Sequence, residues 1–384
     1  MKPDVERRTG DRPRFPIGGS TAAGRVAGPG VAHSREMFPG LPAAAARDRR
    51  PSPLPAASGR RRPWLALLLA IAAAPASADD AVAARDAVAA RDAGWLAAFR
   101  RSREALCWTD LAVHHDWRVQ RHSGDGRCRI LDPTDDTVRE GSHEDCRRAF
   151  AALSADGTIP RPDGPTVILL HGLGEGRDSM RPLAEHLKTA VDATVICFGY
   201  ASVTAKLDDH GAALAEVVAG LPATARISFV GHSLGNIVVR RWLAMADPAD
   251  RERVHRVVML GPPNQGSRLA RMAAGLWGLA DHVEGSAREL VFDWPQVASQ
   301  LAVPPCDFGI VAGGKGDDAG YSTLLAGDDD AVVCVDETRL PGARDFLLVP
   351  VHHAAMMRDP AVQQATVSFL ETGRFPVAAP QAAR

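Results

Sequence analysis

The chain has 384 residues, 46% of them hydrophobic, enough to bury the core of one large α/β domain with extras or of two domains. Its 45 Lys and Arg stand against 46 Asp and Glu, a formal net charge of −1. That balance argues against a nucleic-acid-binding surface as the main business of the molecule.

The balance is uneven along the chain. Residues 1–59 are basic and rich in Pro, Gly, Ala and Arg, without periodicity, and are expected to be disordered or to precede the true start of translation, Met37 being one candidate start. Residues 60–78 read as a signal peptide: Arg60 to Arg62 form a positive region, Trp64 to Ala74 an apolar run, and Pro75 to Ala78 a small-x-small cleavage site. The run is shorter than the roughly 20 residues of a comfortable membrane span. An uncleaved N-terminal anchor is the alternative, and either reading exports the remainder to the periplasm or beyond.

Six cysteines accompany this signal: Cys107, Cys128, Cys146, Cys197, Cys306 and Cys334. An even count in an exported chain predicts disulfides, here Cys128 with Cys146 and Cys306 with Cys334, each pair bracketing a short segment. Cys197 lies inside an apolar run and is expected to be a buried thiol.

Residues 79–160 are expected to form an N-terminal helical and β-hairpin extension. An alanine-rich helix over 81–106 repeats Ala-Val-Ala-Ala-Arg-Asp in tandem. Trp117 to His122 and Arg127 to Leu131 alternate on either side of Ser123-Gly-Asp-Gly126, the pattern of a hairpin. His114, His115 and His122 nearby are expected to be surface histidines. A helix carrying Cys146, Phe150 and Leu153 follows, then the breaker Pro160 to Pro165.

From there to about residue 375 strands and helices alternate. Thr166 to Leu170 is an uninterrupted apolar run, the mark of a parallel strand buried on both faces. Further strands are expected at 194–198, 226–230, 256–260, 307–311 and 345–351, with helices at 180–190, 208–219, 236–243 and 360–370. The alternation predicts a doubly wound, mostly parallel sheet of the α/β class. Residues 268–303 break the rhythm and predict a small helical cap or ordinary connecting helices. Residues 376–384 are a tail.

Gly231-His-Ser-Leu-Gly235 falls between strand and helix and reads as a nucleophile elbow. A serine hydroxyl is a weak nucleophile that must stand clear where a base can reach it. Glycines two before and two after Ser233 let the neighbouring backbone approach, and the helix N-terminus behind it favours developing negative charge. The first strand runs into His171-Gly-Leu-Gly174, which makes the backbone N–H groups of Leu173 and Leu234 the expected oxyanion donors. The base belongs after the last strand, where His352 and His353 stand; His353 is favoured because His352 lies closer to the strand end. The acid belongs after the strand 308–311, among Asp317, Asp318, Asp328, Asp329 and Asp330. Asp330 is favoured because Ala331 to Val333 would anchor it, and a calcium ion on Asp328 to Asp330 is the alternative use of the run.

These segments resemble the α/β-hydrolase superfamily, and within it the bacterial lipases and esterases. The resemblance covers about Pro165 to Phe369 and rests on His171-Gly-Leu173, Gly231 to Gly235, Leu260 to Ser267, Asp329-Asp-Ala-Val-Val333 and His353-Ala-Ala-Met356. In such lipases an Asn-Asp-Gly-x-Val stretch carries the triad acid, which implies Asp330, although Asp329 and Ala331 stand here for Asn and Gly. A large apolar residue often follows the histidine three positions later, which implies His353 with Met356. The expected activity is that of an exported serine hydrolase cleaving carboxylic esters, with no cofactor and no metal. Its expected partners are a small-molecule or lipid ester and no nucleic acid, with contact to a membrane surface as a further option. The alternatives are an acyltransferase using the same triad, and a non-catalytic lipid- or ester-binding module.

Overall fold

The computed structural model describes residues 106–277 and 284–376. The expected disordered stretch 1–59, the signal 60–78, nearly all of the alanine-rich helix and the tail lie outside the described residues. Among the described residues no helix is long and apolar enough to cross a membrane.

The main sheet has six parallel strands: β5 (Thr166–Leu170), β6 (Thr194–Phe198), β7 (Ile227–His232), β8 (Val254–Leu260), β9 (Asp307–Gly313) and β10 (Asp345–Val349). Their order is β10-β9-β8-β7-β5-β6. Side-chain alternation sorts each strand between two cores. Ile168 and Leu170 of β5, with Ile196 and Phe198 of β6, enter one core. Val167, Leu169, Val195 and Cys197 enter the other. Helices α3 (Leu207–Ala219) and α4 (Leu234–Met245) cover the first face, and α2 (Arg181–Ala190) and α9 (Pro360–Thr372) the second. Both faces are covered, so the strands read as continuous apolar runs. The doubly wound expectation holds.

The extension differs from its expected form. The hairpin of β2 (Trp117–His122) and β3 (Cys128–Leu131) is there, but flanked by β1 (Trp108–His114) and β4 (Thr137–Gly141) in a four-stranded antiparallel meander. β1 hides from pattern reading because Thr109 and Asp110 are polar yet buried. Helix α1 (His143–Ala155) follows, its first turn capped by Ser142 Oγ, which accepts the Asp145 N–H. Leu111, Val113, Val119, Ile130 and Phe150 join the same core as Ile168 and Phe229, so the extension is built into the hydrolase core.

The disulfides are a correction: Cys128, Cys146, Cys306 and Cys334 are thiols. Cys306 packs against the main core while Cys334 sits in a separate cluster with Leu269 and Leu325, which explains why that pair does not meet. Cys128 and Cys146 share one core without being bonded. Cys197 is a buried thiol as expected, its pKa pushed up to about 11 by burial.

The short helix α5 (Pro248–Glu252) precedes β8, and the segment between β8 and β9 holds α6 (Arg268–Trp277), α7 (Gly285–Val291) and α8 (Trp294–Ser299). Leu290 and Val297 of α7 and α8 enter the main core, as connecting helices do. Leu269 of α6 instead packs with Leu325 and Cys334, in the manner of a cap; residues 278–283 of this region lie outside the described residues.

Candidate active site

In the order β10-β9-β8-β7-β5-β6 the chain leaves β5 for β6 on one side and then returns to place β7 on the other. The connections after β5 and β7 therefore diverge at their carboxyl ends and open a crevice, the place where such sheets bind ligands. His171 to Gly174 follow β5 and Ser233 follows β7.

The turn at Ser233 is tight. Ser233 itself has φ 51° and ψ −118°, a conformation that L-residues rarely adopt and that persists only where surroundings enforce it. Its N–H donates to the Leu260 carbonyl at 2.9 Å. A Cβ at Gly231 would stand 2.4 Å from Asn236 Oδ1, and one at Gly235 would stand 2.4 Å from the Leu170 carbonyl oxygen. Both glycines are thus required by close approach, and the helix α4 that begins at Leu234 presses directly on β5.

After β10 the two histidines part. His352 lies against Tyr321, ring centroids 3.9 Å apart, whereas His353 turns inward and its Nδ1–H donates to Asp330 Oδ2 at 2.6 Å. The His353 N–H also donates to the Asp330 carbonyl at 2.9 Å. Burial pushes the His353 pKa down, but the charge and hydrogen bond of Asp330, with a smaller contribution from Glu175, outweigh it and raise the pKa above the ordinary value. The ring touches the end of β8: a Cβ at Gly261 would stand 3.0 Å from its Cε1 and Nδ1. Since Ser233 hydrogen-bonds Leu260, elbow and imidazole meet at the same strand end.

The aspartate run divides its labour. Asp328 accepts the Lys315 and Gly316 N–H groups at 2.7 and 2.8 Å. Asp329 accepts those of Ser322 and Ala331 at 2.9 and 2.7 Å, and Asp317 those of Ala319 and Gly320. Asp330 accepts from Val332 and Val333 on Oδ1, which leaves Oδ2 for His353. Hydrogen bonds to the backbone engage Asp317, Asp328 and the Oδ1 of Asp329, and no group of three or more potential metal ligands occurs among the described residues. Asp318 is brought to no histidine.

The loop 171–174, expected to carry an oxyanion donor, is braced from both sides. The Gly172 N–H donates to Glu175 Oε2 at 2.9 Å and the Gly174 N–H to Ser202 Oγ at 3.1 Å, while Leu173 between them makes no hydrogen bond among the described residues. His171 is fully buried, stacked on Tyr200 with centroids 4.1 Å apart. It accepts the Tyr200 N–H on Nε2 and donates from Nδ1 to the Gly172 carbonyl, and burial lowers its pKa, so it stands as a neutral structural ring. Tyr200 OH in turn donates to the His171 carbonyl. Behind this segment stands β1: Asp110 Oδ2 accepts the Gly199 N–H at 2.6 Å, and Thr109 Oγ1 accepts the Ala201 N–H. Sequence reasoning missed Glu175, Tyr200, Ser202 and Asp110. Only Glu175 left a signal, an acid four residues after His171; the others act across 28 to 89 positions of chain.

Helix α6 is tied to the loop that carries Asp330 by Glu337, which accepts the Cys334 and Arg268 N–H groups at 3.1 and 2.7 Å. Glu337 is buried, and burial raises its pKa.

Residues 165–279 match the family model described as the alpha/beta hydrolase fold. Among solved structures, the chain is similar to the mature form of the lipase BlEst2 of Bacillus licheniformis, at 22% identity over 56% of this chain and 95% of that one, with a TM-score of 0.44. It is also similar to the metagenomic carboxyl esterase MGS0156, at 20% identity over 52% of this chain and 68% of that one, TM-score 0.36. A third is the phospholipase PlaB of Legionella pneumophila, at 18% identity over 55% and 57% of the two chains, TM-score 0.41. None of the curated proteins compared with the chain matches it.

Proposed function

The chain carries the α/β-hydrolase fold, and from that premise we propose that it is an exported serine hydrolase of carboxylic esters, with Ser233 as nucleophile, His353 as base and Asp330 as acid. The observation that carries the reading is the His353–Asp330 pair at 2.6 Å beside a serine held at φ 51°. With Nδ1 committed to Asp330, Nε2 is the nitrogen left for proton transfer. His353 takes the Ser233 proton as Oγ attacks the ester carbonyl, and the imidazolium so formed is stabilised by Asp330. The N–H groups of Leu173 and Leu234 hold the oxyanion, aided by the N-terminus of α4. Collapse of the tetrahedral intermediate expels the alcohol, which takes the proton from His353. Water, deprotonated by the same histidine, then attacks the acyl-enzyme and releases the carboxylic acid. Export rests on the signal-like residues 60–78.

The test uses a fluorophosphonate probe together with p-nitrophenyl esters of increasing chain length. Ser233→Ala should lose both labelling and turnover. His353→Ala should lose turnover, and His352→Ala should retain it. Equal labelling of the parent and Ser233→Ala removes the nucleophile; labelling without ester turnover points to acyl transfer or another acyl substrate.

A further inference from the structure

The carboxylate of Glu175 is a partly buried group near the site with no role in the proposed reaction. Its side chain is 19% exposed, and three donors converge on one oxygen, Oε2: the Gly172 N–H at 2.9 Å, Ser179 Oγ–H at 2.9 Å and His232 Nδ1 at 3.3 Å. His232, fully buried one residue before the nucleophile, spends its other nitrogen on the His353 carbonyl at 3.1 Å, and the two imidazoles lie 4.6 Å apart. The fit is close, since a Cβ at Gly172 would stand 3.2 Å from Glu175 Oε2 and 3.2 Å from His232 Nδ1.

Resting on the serine-hydrolase reading, we propose that Glu175 is a positioning residue: through Gly172 and His232 it locks the oxyanion loop, the nucleophile turn and the base-bearing segment into one fixed geometry. Burying a carboxylate is costly unless it is paired and hydrogen-bonded. Here burial pushes the Glu175 pKa up, and the charge and hydrogen bond of His232 together with the Gly172 N–H pull it well below the usual carboxylate range, so the group stays charged. The three segments it joins come from the ends of β5, β7 and β10: β5 and β7 pair as far as Leu170 and Gly231, whereas β10 lies three strands from β7 at the sheet edge. Gly172 is the neighbour of Leu173, so a carboxylate fixing the Gly172 N–H also fixes the direction of the next amide. Oxyanion stabilisation depends on donors being in place before charge develops. Because all three donors meet one oxygen, an amide oxygen can stand in for it and aliphatic truncation cannot.

The experiment compares the full chain with Glu175→Ala and Glu175→Gln, following fluorophosphonate labelling of Ser233 as maximal rate and half-saturating concentration, beside kcat and KM for an ester. Phosphonylation builds charge on an oxygen in the same hole, so it reports the geometry even without ester turnover. Glu175→Ala should slow maximal labelling about 100-fold, the size of losing one oxyanion donor, with half-saturation nearly unchanged. Glu175→Gln should recover most of that rate. A folded Glu175→Ala labelled at the parental rate, a loss confined to half-saturation, or a Gln variant no better than Ala would overturn the proposal while leaving the triad reading intact. Labelling that follows the expected pattern without ester turnover keeps the proposal and removes the ester reading. An unlabelled parent removes both.

Discussion

At Ser233, local strain and chemistry coincide: a φ of 51° is unfavourable for serine by itself, and the turn is held by Gly231 and Gly235, whose missing Cβ atoms let Asn236 and Leu170 close in. The histidine and aspartate add a pH dependence whose sign follows from Asp330. As the proposed base, His353 would accept the serine proton only as neutral imidazole, and its pKa is raised above the ordinary 6.5. Turnover should therefore fall as pH drops through a midpoint above 6.5. Asp330→Asn removes the charge that favours imidazolium and can leave the wrong tautomer, so kcat should drop by about 10⁴-fold and the midpoint of the residual activity should move to lower pH. A pH profile of kcat/KM for both proteins checks this; an unmoved midpoint would remove Asp330 from the role. These residues were legible from chain order and spacing, because a base after the last strand and an acid after the preceding one follow from the topology. Between His352 and His353 the sequence favoured His353, from its distance to the strand end and from Met356 three positions on, but which of two adjacent side chains turns towards Asp330 is set by the backbone after β10.

At the scale of elements, the meander β1–β4 has a mechanical relation to the site. Asp110 on β1 is fully buried, accepts the Gly199 N–H and a Gln120 amide hydrogen, and so holds the segment that carries Tyr200 and Ser202 beneath the oxyanion loop. Asp110→Ala leaves those donors buried and unpaired, which should cost about 3 kcal/mol of stability. Looser support of the loop should also lower kcat on the order of 10-fold in the folded variant. Urea unfolding and steady-state kinetics measure the two effects, and an unchanged unfolding midpoint would show that β1 does not brace the loop. The hairpin β2–β3 was visible as alternation around Ser123 to Gly126. β1 and β4 were not, since β1 turns Thr109 and Asp110 inward to meet polar backbone and β4 is largely exposed, so neither shows the apolar period of a strand.

For the whole molecule, the boundary expected near residue 160 is crossed by one hydrophobic core. Phe150, Ile130 and Val119 share a core with Ile168, Phe198 and Phe229. A chain beginning at residue 161 would expose that apolar face and lose the Asp110 contacts. It should lack a cooperative thermal transition, while the chain from 106 onward should show one; calorimetry on the two chains decides, and a cooperative transition in the shorter one would make the meander an independent appendage. By itself the sequence determined the parallel sheet and the strand-turn-helix at Ser233, and it supplied the candidates for nucleophile, acid and base in chain order, because these are written in strand-length apolar runs and in residues a few positions apart. Only the tertiary structure decided that His353 rather than His352 meets Asp330, that Glu175 reaches His232, and that β1 stands behind the oxyanion loop. Those pairings span 23, 57 and 89 positions, and which distant groups converge is set by how the sheet packs, not by any local pattern.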